Sequence, residues 1–295
     1  MKVFYTKTYN LSGTNAQKQN NIEITARNMG FEELSFFKFP DQYDSDDELN
    51  VRMDGVMAAM EDEAVVIFQY PSMVSLRYDK CAVDHIKKYR DAKLVIMVQD
   101  LGCVVNSGEY EQLDAEIEIF NKADLLILQS KTMYTQLISR GLENIPIIYQ
   151  EVWDYPYEII NNDVQIENKI QYITDTSIFS MINLKKSGIA LLGDMDNVYL
   201  DVCNLLEVGF CICAGIPMLA KKGSRIAQFL ETYKIGFVIE YQTNPEEFIH
   251  EISRKQIEEK KRHLRRLQGV VSSGLFTKTL LQQVIYMVCI NSFIQ

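Results

Sequence analysis

The chain lacks any apolar run long enough to cross a membrane: no stretch of its 295 residues approaches the roughly 20 consecutive apolar residues of a spanning helix. The opening MKVFYTKTYN lacks the long apolar core of a secretion signal, so a cytoplasmic location is expected. Positive charge is not in excess either. The 30 Lys and Arg against 40 Asp and Glu give a net charge of −10, which opposes attachment to nucleic acid or anionic lipid. Metal and disulfide spacings are missing. The 6 cysteines (Cys81, Cys103, Cys203, Cys211, Cys213, Cys289) form no C-x-x-C pair, and the single C-x-C lies in an apolar helix, so they read as buried thiols. None of the 3 histidines stands at ligand spacing from a Cys or carboxylate; His250 and His263 fall in charged helical stretches and His85 on a surface helix. No G-x-G-x-x-G, Walker, G-x-S-x-G or H-E-x-x-H pattern occurs, which removes the usual sequence support for hydride transfer, P-loop hydrolysis and zincin chemistry. The acidic DQYDSDDE (41–48) has neither the glycine nor the closing Glu of a calcium loop and reads as a solvated turn. RKQIEEKKRHLRRLQ mixes both signs along a helix and reads as a surface face. No metal and no cofactor are expected.

What the chain does have is alternation. Short apolar runs (VFYT, ELSFF, AVVIFQ, KLVIMV, DLLILQ, PIIYQ) alternate with helical periodicity over 14–28, 49–61, 79–90, 109–121 and 131–140, the pattern of βαβ units and a parallel sheet. Ser130 as N-cap and Gly141 as stop bound the last of these helices. After VWDYP (152–156) a polar stretch, NNDVQIENK, suggests a linker. A second, shorter α/β set follows, with strands at KIQYIT, GIALLG, PMLAKK and GFVIE and helices over 177–185, 198–214, 224–233 and 244–269. The expected domains are therefore 1–156, 157–275 and a final amphipathic helix in 276–295 crossing back to the first domain. Two parallel-sheet domains place a ligand cleft at the carboxyl ends of their strands, where helix N-termini present unpaired donors.

Two segments are candidates for chemistry. The loop after the first strand carries Ser12, Gly13 and Thr14 where the chain leaves the sheet, and such a loop either approaches a substrate or simply connects. VQDLGCVVNSGEY (98–110) ends a strand in Gln99 and Asp100. Asp100 there suits a sugar hydroxyl, a general base, or a loop-bracing cap.

Five stretches in order, RMDGVMAAMEDEAVVIFQYP, FNKADLLILQSKTMYTQL, VWDYP, GFCICAGIPML and GLFTKTLLQQV, resemble the GT-B glucosyltransferases of the streptococcal serine-rich-repeat adhesin pathway, whose relatives are often labelled galactofuranosyltransferases. The resemblance implies a GT-B-like α/β fold of two Rossmann-like domains facing a cleft. It also implies metal-independent, retaining transfer of glucose from UDP-glucose to an N-acetylglucosamine on the adhesin, with the acceptor held by the N-terminal domain and the UDP-sugar by the C-terminal one. Carried over by position, Ser12, Gly13, Thr14, Gln99 and Asp100 would meet the acceptor, with Asp100 the candidate catalytic residue. Leu205, Glu207, Gly215 and Ser224 would line the donor site.

Three departures accompany the resemblance. The family's His-Asp at the strand end is Gln99-Asp100 here, and Gln cannot exchange a proton near neutral pH. The family's Ser-Tyr-Lys triplet facing the donor is Leu205, Leu206 and Glu207, a carboxylate where a cation is expected. Several tens of residues between Tyr155-Pro156 and KIQYITDTSIF are missing, which reduces the C-terminal domain. These departures imply a weak or absent UDP-sugar site, and with it a non-catalytic subunit that recognises a sugar, glycan or glycopeptide acceptor and assembles as a homo-oligomer or with an active paralogue. The other reading is an active hexosyltransferase moving a hexose from a UDP-sugar to a GlcNAc-type acceptor; whether the chain is an enzyme stays open at this point.

Overall fold

Strand β3 (Val65–Tyr70) is buried at every position, because neither face of its sheet sees water. It pairs in parallel with β1 (Val3–Tyr9) on one side and β4 (Lys93–Val98) on the other. Strands β2 (Glu32–Phe37), β5 (Leu125–Leu128) and β6 (Ile147–Tyr149) complete a parallel sheet of order β2-β1-β3-β4-β5-β6. Strand order reverses between β1 and β3, the position where doubly wound sheets open a crevice at their carboxyl ends. The computed structural model describes residues 1–101, 110–156, 169–172, 188–192 and 206–290. The chain forms two units, Met1–Gln150 with Thr277–Gln295, and Glu151–Phe276.

In the first unit the connections run through α1 (Gly13–Asn28), α2 (Asp46–Val56), α3 (Leu76–Ile86), α4 (Tyr110–Phe120) and α5 (Lys131–Ser139). Caps set their starts. Ser45 and Glu48 close a capping box, with the Glu48 amide donating to Ser45 Oγ at 3.3 Å and the Ser45 amide to Glu48 Oε2 at 2.8 Å. The acidic stretch expected as a solvated turn is therefore a short 3-10 turn, Asp41–Tyr43, followed by the first turn of α2, where Asp46, Asp47 and Glu48 suit the positive end of the helix. Ser75 caps α3 and Ser130 caps α5 in the same way, accepting from the Tyr78 and Met133 amides. His85, expected on a surface helix in a solvent-exposed or structural role, is buried: Nδ1 lies 2.9 Å from the Cys81 carbonyl and Nε2 2.9 Å from Lys88 Nζ.

The second unit has a parallel sheet of order β10-β9-β8-β7, from β7 (Lys169–Tyr172), β8 (Gly188–Leu191), β9 (Met218–Lys221) and β10 (Gly236–Ile239). Helices α6 (Leu206–Ala214), α7 (Arg225–Tyr233), α8 (Pro245–Glu251) and α9 (Arg254–Ser272) belong to it, and α10 (Leu275–Ile285) follows, continued by a π turn over Tyr286–Ile290. Ile189, Leu191, Leu219, Phe237, Ile239 and Ile249 form its core. The helix expected over 244–269 is two helices. Ile252 is extended (ψ 119°), and Ser253 with Gln256 forms a second capping box that starts α9 afresh. Helix 177–185, the first part of 198–214 and all of the linker stretch NNDVQIENK but its last residue, Lys169, lie outside the described residues. Residues 151–156, expected to close the first domain, group with the second unit: the Tyr155 amide donates to the Val271 carbonyl, and the Tyr155 ring packs edge-on against Phe210.

Candidate functional site

Four neighbouring strands of the first sheet carry a glutamine at their carboxyl ends: Gln69 is the penultimate residue of β3, and Gln99, Gln129 and Gln150 directly follow β4, β5 and β6. All are buried. Gln129 Nε2 donates to the carbonyls of Val98 and Gln99, Gln99 Nε2 donates to Gln69 Oε1 at 2.6 Å, and Gln69 Nε2 donates to the Thr6 carbonyl at 2.5 Å. This amide ladder ties the carboxyl rim from β5 to β1 and supplies partners to backbone groups where the strand ladder stops.

A cavity of about 320 Å³ opens at this rim, within the usual range of small-molecule sites, about 300–1,000 Å³. Asn15 reaches it from the first turn of α1, Tyr70 and Pro71 from the end of β3, Asp79 from α3, Asp100 from the end of β4, and Glu116 from α4. Met73, Val74 and Leu76 supply an apolar wall. The Tyr70–Pro71 bond is cis, and Met73 has a left-handed backbone (φ 67°) with its sulfur accepting from Asn15 Nδ2 at 3.5 Å. Proline cannot continue a strand, so the chain must leave the sheet at Pro71.

The polar side of the cavity is rich in carboxylates, and their environments differ. Asp100 is paired with buried Lys18, whose Nζ lies 3.1 Å from Oδ2 and 3.3 Å from Oδ1. Glu116 accepts from the Tyr70 hydroxyl at 2.8 Å. Asp79 is fully buried. Burial raises its carboxyl to about 7, and the charges of Glu116 and Asp41 add to that, while hydrogen bonds from Ser72 oppose it. Near neutral pH Asp79 thus exchanges a proton at the cavity wall, and the site as a whole presents hydrogen-bond acceptors to a ligand.

The residues expected from sequence divide. Asp100 lines the cavity. Gln99 does not; its side chain is committed to the amide ladder. Ser12, Gly13 and Thr14 are exposed and are not among the lining residues, whereas the next residue, Asn15, is. Gly13 begins α1 with φ 68°, a conformation that suits glycine, so its role at this turn is conformational. Asn15, Tyr70, Asp79 and Glu116 escaped sequence reasoning because each is a single polar residue on a different element. The one local signal was Pro71 directly after a strand buried at every position.

In the second unit, Ser224 caps α7: its hydroxyl accepts from the Ala227 amide at 3.1 Å and donates to the Lys221 carbonyl at 2.9 Å. The Gly215 amide donates to the Ile212 carbonyl as α6 ends, and an added Cβ at Gly215 would lie 2.9 Å from Gln268 Nε2. Glu207 is half-buried in the first turn of α6. Burial pushes the Cys211 thiol well up, with the Glu207 charge adding to it, and burial pushes Cys213 up to about 12, so neither thiol is poised as a nucleophile. Leu205 lies outside the described residues. Among the described residues, no group of three or more His, Cys, Asp and Glu is placed to hold a metal, and no helix is long and apolar enough to cross a membrane.

Two family models match in tandem: the glucosyltransferase 3-like N-terminal domain over residues 2–152 and the glucosyltransferase 3-like C-terminal domain over residues 154–284. The chain belongs to the glucosyltransferase 3-like family. Glucosyltransferase 3 of Streptococcus gordonii is 24% identical over 326 aligned positions, spanning 95% of this chain and 97% of that protein. Glucosyltransferase 3 of Streptococcus parasanguinis is 23% identical, spanning 97% and 98%. Among solved structures, Anabaena HepE in complex with UDP-glucose superposes with a TM-score of 0.64 at 10% identity, over 97% of this chain and 100% of that one. WaaG, a glycosyltransferase involved in lipopolysaccharide biosynthesis, superposes with a TM-score of 0.52 at 12% identity, over 98% of this chain and 100% of that one. The glucosyltransferase 3-like chain thus has a GT-B glycosyltransferase fold, and its family is one of glycosyltransferases.

Proposed function

We propose that this glycosyltransferase-family chain recognises a sugar-bearing acceptor through the cavity of its first unit while its nucleotide-sugar site is too weak for turnover, so that it serves as a partner subunit of an active transferase. One observation carries the reading: Glu207 stands in the first turn of α6. The resemblance places a donor-facing cation at this position, and a half-buried carboxylate stands there instead. A UDP-sugar brings two phosphate charges. One like-charge contact near 5 Å at an effective dielectric of 20 is worth roughly 3 kcal/mol, enough to move a micromolar site towards the millimolar range. The alignment with the Streptococcus gordonii relative runs over 326 positions against 295 residues here, which fits a chain shortened inside the matched region.

The acceptor half of the reading rests on the cavity, whose carboxylates accept from hydroxyls and whose Pro71, Met73 and Val74 wall suits the apolar face of a ring. By family, the acceptor is a glycan or glycopeptide bearing N-acetylglucosamine, in cell-surface protein or polysaccharide glycosylation, handled in the cytoplasm, and the partner is a second copy or an active paralogue. A second reading, an active metal-independent transferase moving a hexose from a UDP-sugar to a GlcNAc-type acceptor with Asp100 orienting the hydroxyl, is favoured by the likeness in fold to HepE, solved with UDP-glucose. Calorimetric titration with UDP-glucose, run beside a product assay on a GlcNAc-bearing peptide, decides between them. The partner-subunit reading expects millimolar or weaker donor binding and no product; tight binding with turnover establishes the second.

A further inference from the structure

Helix α9 buries Ile257, Leu264 and Val271 along one side. Helical spacing sets Lys255, Glu258, Glu259, Arg262, Arg265 and Arg266 on the opposite side, and all of them are exposed. The charges on this face are segregated, although RKQIEEKKRHLRRLQ mixes them in sequence. Its carboxylates stop at Glu259, and Glu258 is paired with Lys261 at 3.6 Å. Beyond them stand Arg262, Arg265 and Arg266, and among the described residues none of the three has a carboxylate within ion-pair distance. His263 Nδ1 lies 3.0 Å from the Lys234 carbonyl, which brings exposed Lys234, at the end of α7, alongside. No apolar side chain of α9 is exposed.

We propose that this arginine face docks the chain on an anionic lipid bilayer, by charge alone and without insertion. The whole-chain charge of −10 opposes such a contact, but salt screens it beyond about 10 Å, so the charges nearest the bilayer decide the sign. Those are the three arginines, whose guanidinium forks grip phosphate oxygens in pairs. A protein partner fits less well, because interface cores are built on apolar and aromatic anchors and this face has none. A nucleic acid fits less well too. Its phosphates are fixed in place, so Glu258 and Glu259 would meet some of them, whereas lipids diffuse and anionic headgroups can gather under the arginines alone. Neither the cavity nor Glu207 takes part, so this surface stands or falls apart from the acceptor and donor readings.

Co-sedimentation of the full-length chain tests this, with vesicles of phosphatidylcholine alone beside vesicles containing one-third phosphatidylglycerol. Wild type should pellet with the anionic vesicles only, and raising salt from about 50 to about 300 mM should release it. The triple variant Arg262→Gln/Arg265→Gln/Arg266→Gln should lose at least about ten-fold in affinity. Its melting temperature should stay at the wild-type value, since exposed sites outside the packing change stability little. Replacing the same three residues by lysine should keep most of the binding, because the charge is retained. Arg262→Gln alone, at the centre of the face, carries the test if the triple variant fails to fold, and should weaken binding several-fold. Wild type that stays in the supernatant, equal binding to the two kinds of vesicle, or glutamine variants that pellet as wild type does overturns the proposal. Tighter binding to a DNA duplex or to polyglutamate than to the anionic vesicles also overturns it, assigning the face to nucleic acid or to an acidic protein.

Discussion

Asp79 accepts from the Ser72 amide with both carboxylate oxygens, at 3.2 and 3.3 Å, and this contact does not offset the burial of the group. Its carboxyl titrates at about 7 in the folded chain against an ordinary value of 3.8. Between those values the folded chain holds a proton that the unfolded chain has released. The resulting stability is complete below the lower value and is lost as pH rises through the upper one. Asp79→Asn removes this dependence while keeping an oxygen to accept from Ser72. Denaturant unfolding should show wild type losing about 2–3 kcal/mol relative to the variant between about pH 5 and pH 8. Parallel pH profiles for the two proteins would refute the assignment.

Tyr70→Phe deletes the hydroxyl that donates to Glu116, a carboxylate only 1% exposed. The ring keeps its edge-on packing against Phe120, at 4.8 Å between centroids, so the loss is confined to the hydrogen bond. A destabilisation of about 1–3 kcal/mol is expected, and urea unfolding measures it. Tyr70→Phe with Glu116→Gln should recover part of that loss, because no charge is then left buried.

Gly209 in α6 touches the backbone of Trp153 so closely that an added Cβ would lie 2.1 Å from the Trp153 carbonyl oxygen. Backbone cannot swing aside as a flexible side chain can. Gly209→Ala should destabilise the second unit by about 1–3 kcal/mol or more, the scale of core overpacking. Gly55→Ala is the control: it lies in α2 with nothing within 4 Å of the added carbon, so helix propensity should make it neutral or stabilising. Equal effects at the two positions in thermal melts would contradict the contact.

The parallel sheets were legible because strands buried on both faces read as near-continuous apolar runs, as in VVIFQY and KLVIMV. Helix starts were less so. Capped by Ser45 and Ser75, α2 and α3 start at Asp46 and Leu76, three residues before the starts expected from apolar periodicity, because the caps act ahead of the first buried side chain. The break before α9 was missed because both sides of Ser253 are charged and helix-forming, and only the Ser253–Gln256 box distinguishes the join. At the site, Asp100 could be named from its place at a strand end, but its partner Lys18 and its neighbours Asp79 and Glu116 come from three helices brought together by the sheet. No local pattern encodes that meeting. The terminal glutamines of VVIFQ, IMVQ, LILQ and PIIYQ were a visible repeat, and Gln99 reads as a ligand contact only while the ladder that occupies it is unknown.

The proposed weakening of the nucleotide-sugar site by the Glu207 carboxylate is tested most directly by calorimetric titration of UDP into wild type and Glu207→Lys. Replacing repulsion by attraction near a diphosphate should tighten binding by at least about ten-fold, with the gain shrinking as salt is raised. Equal affinities in the two proteins, or micromolar binding of UDP by wild type, would contradict the account.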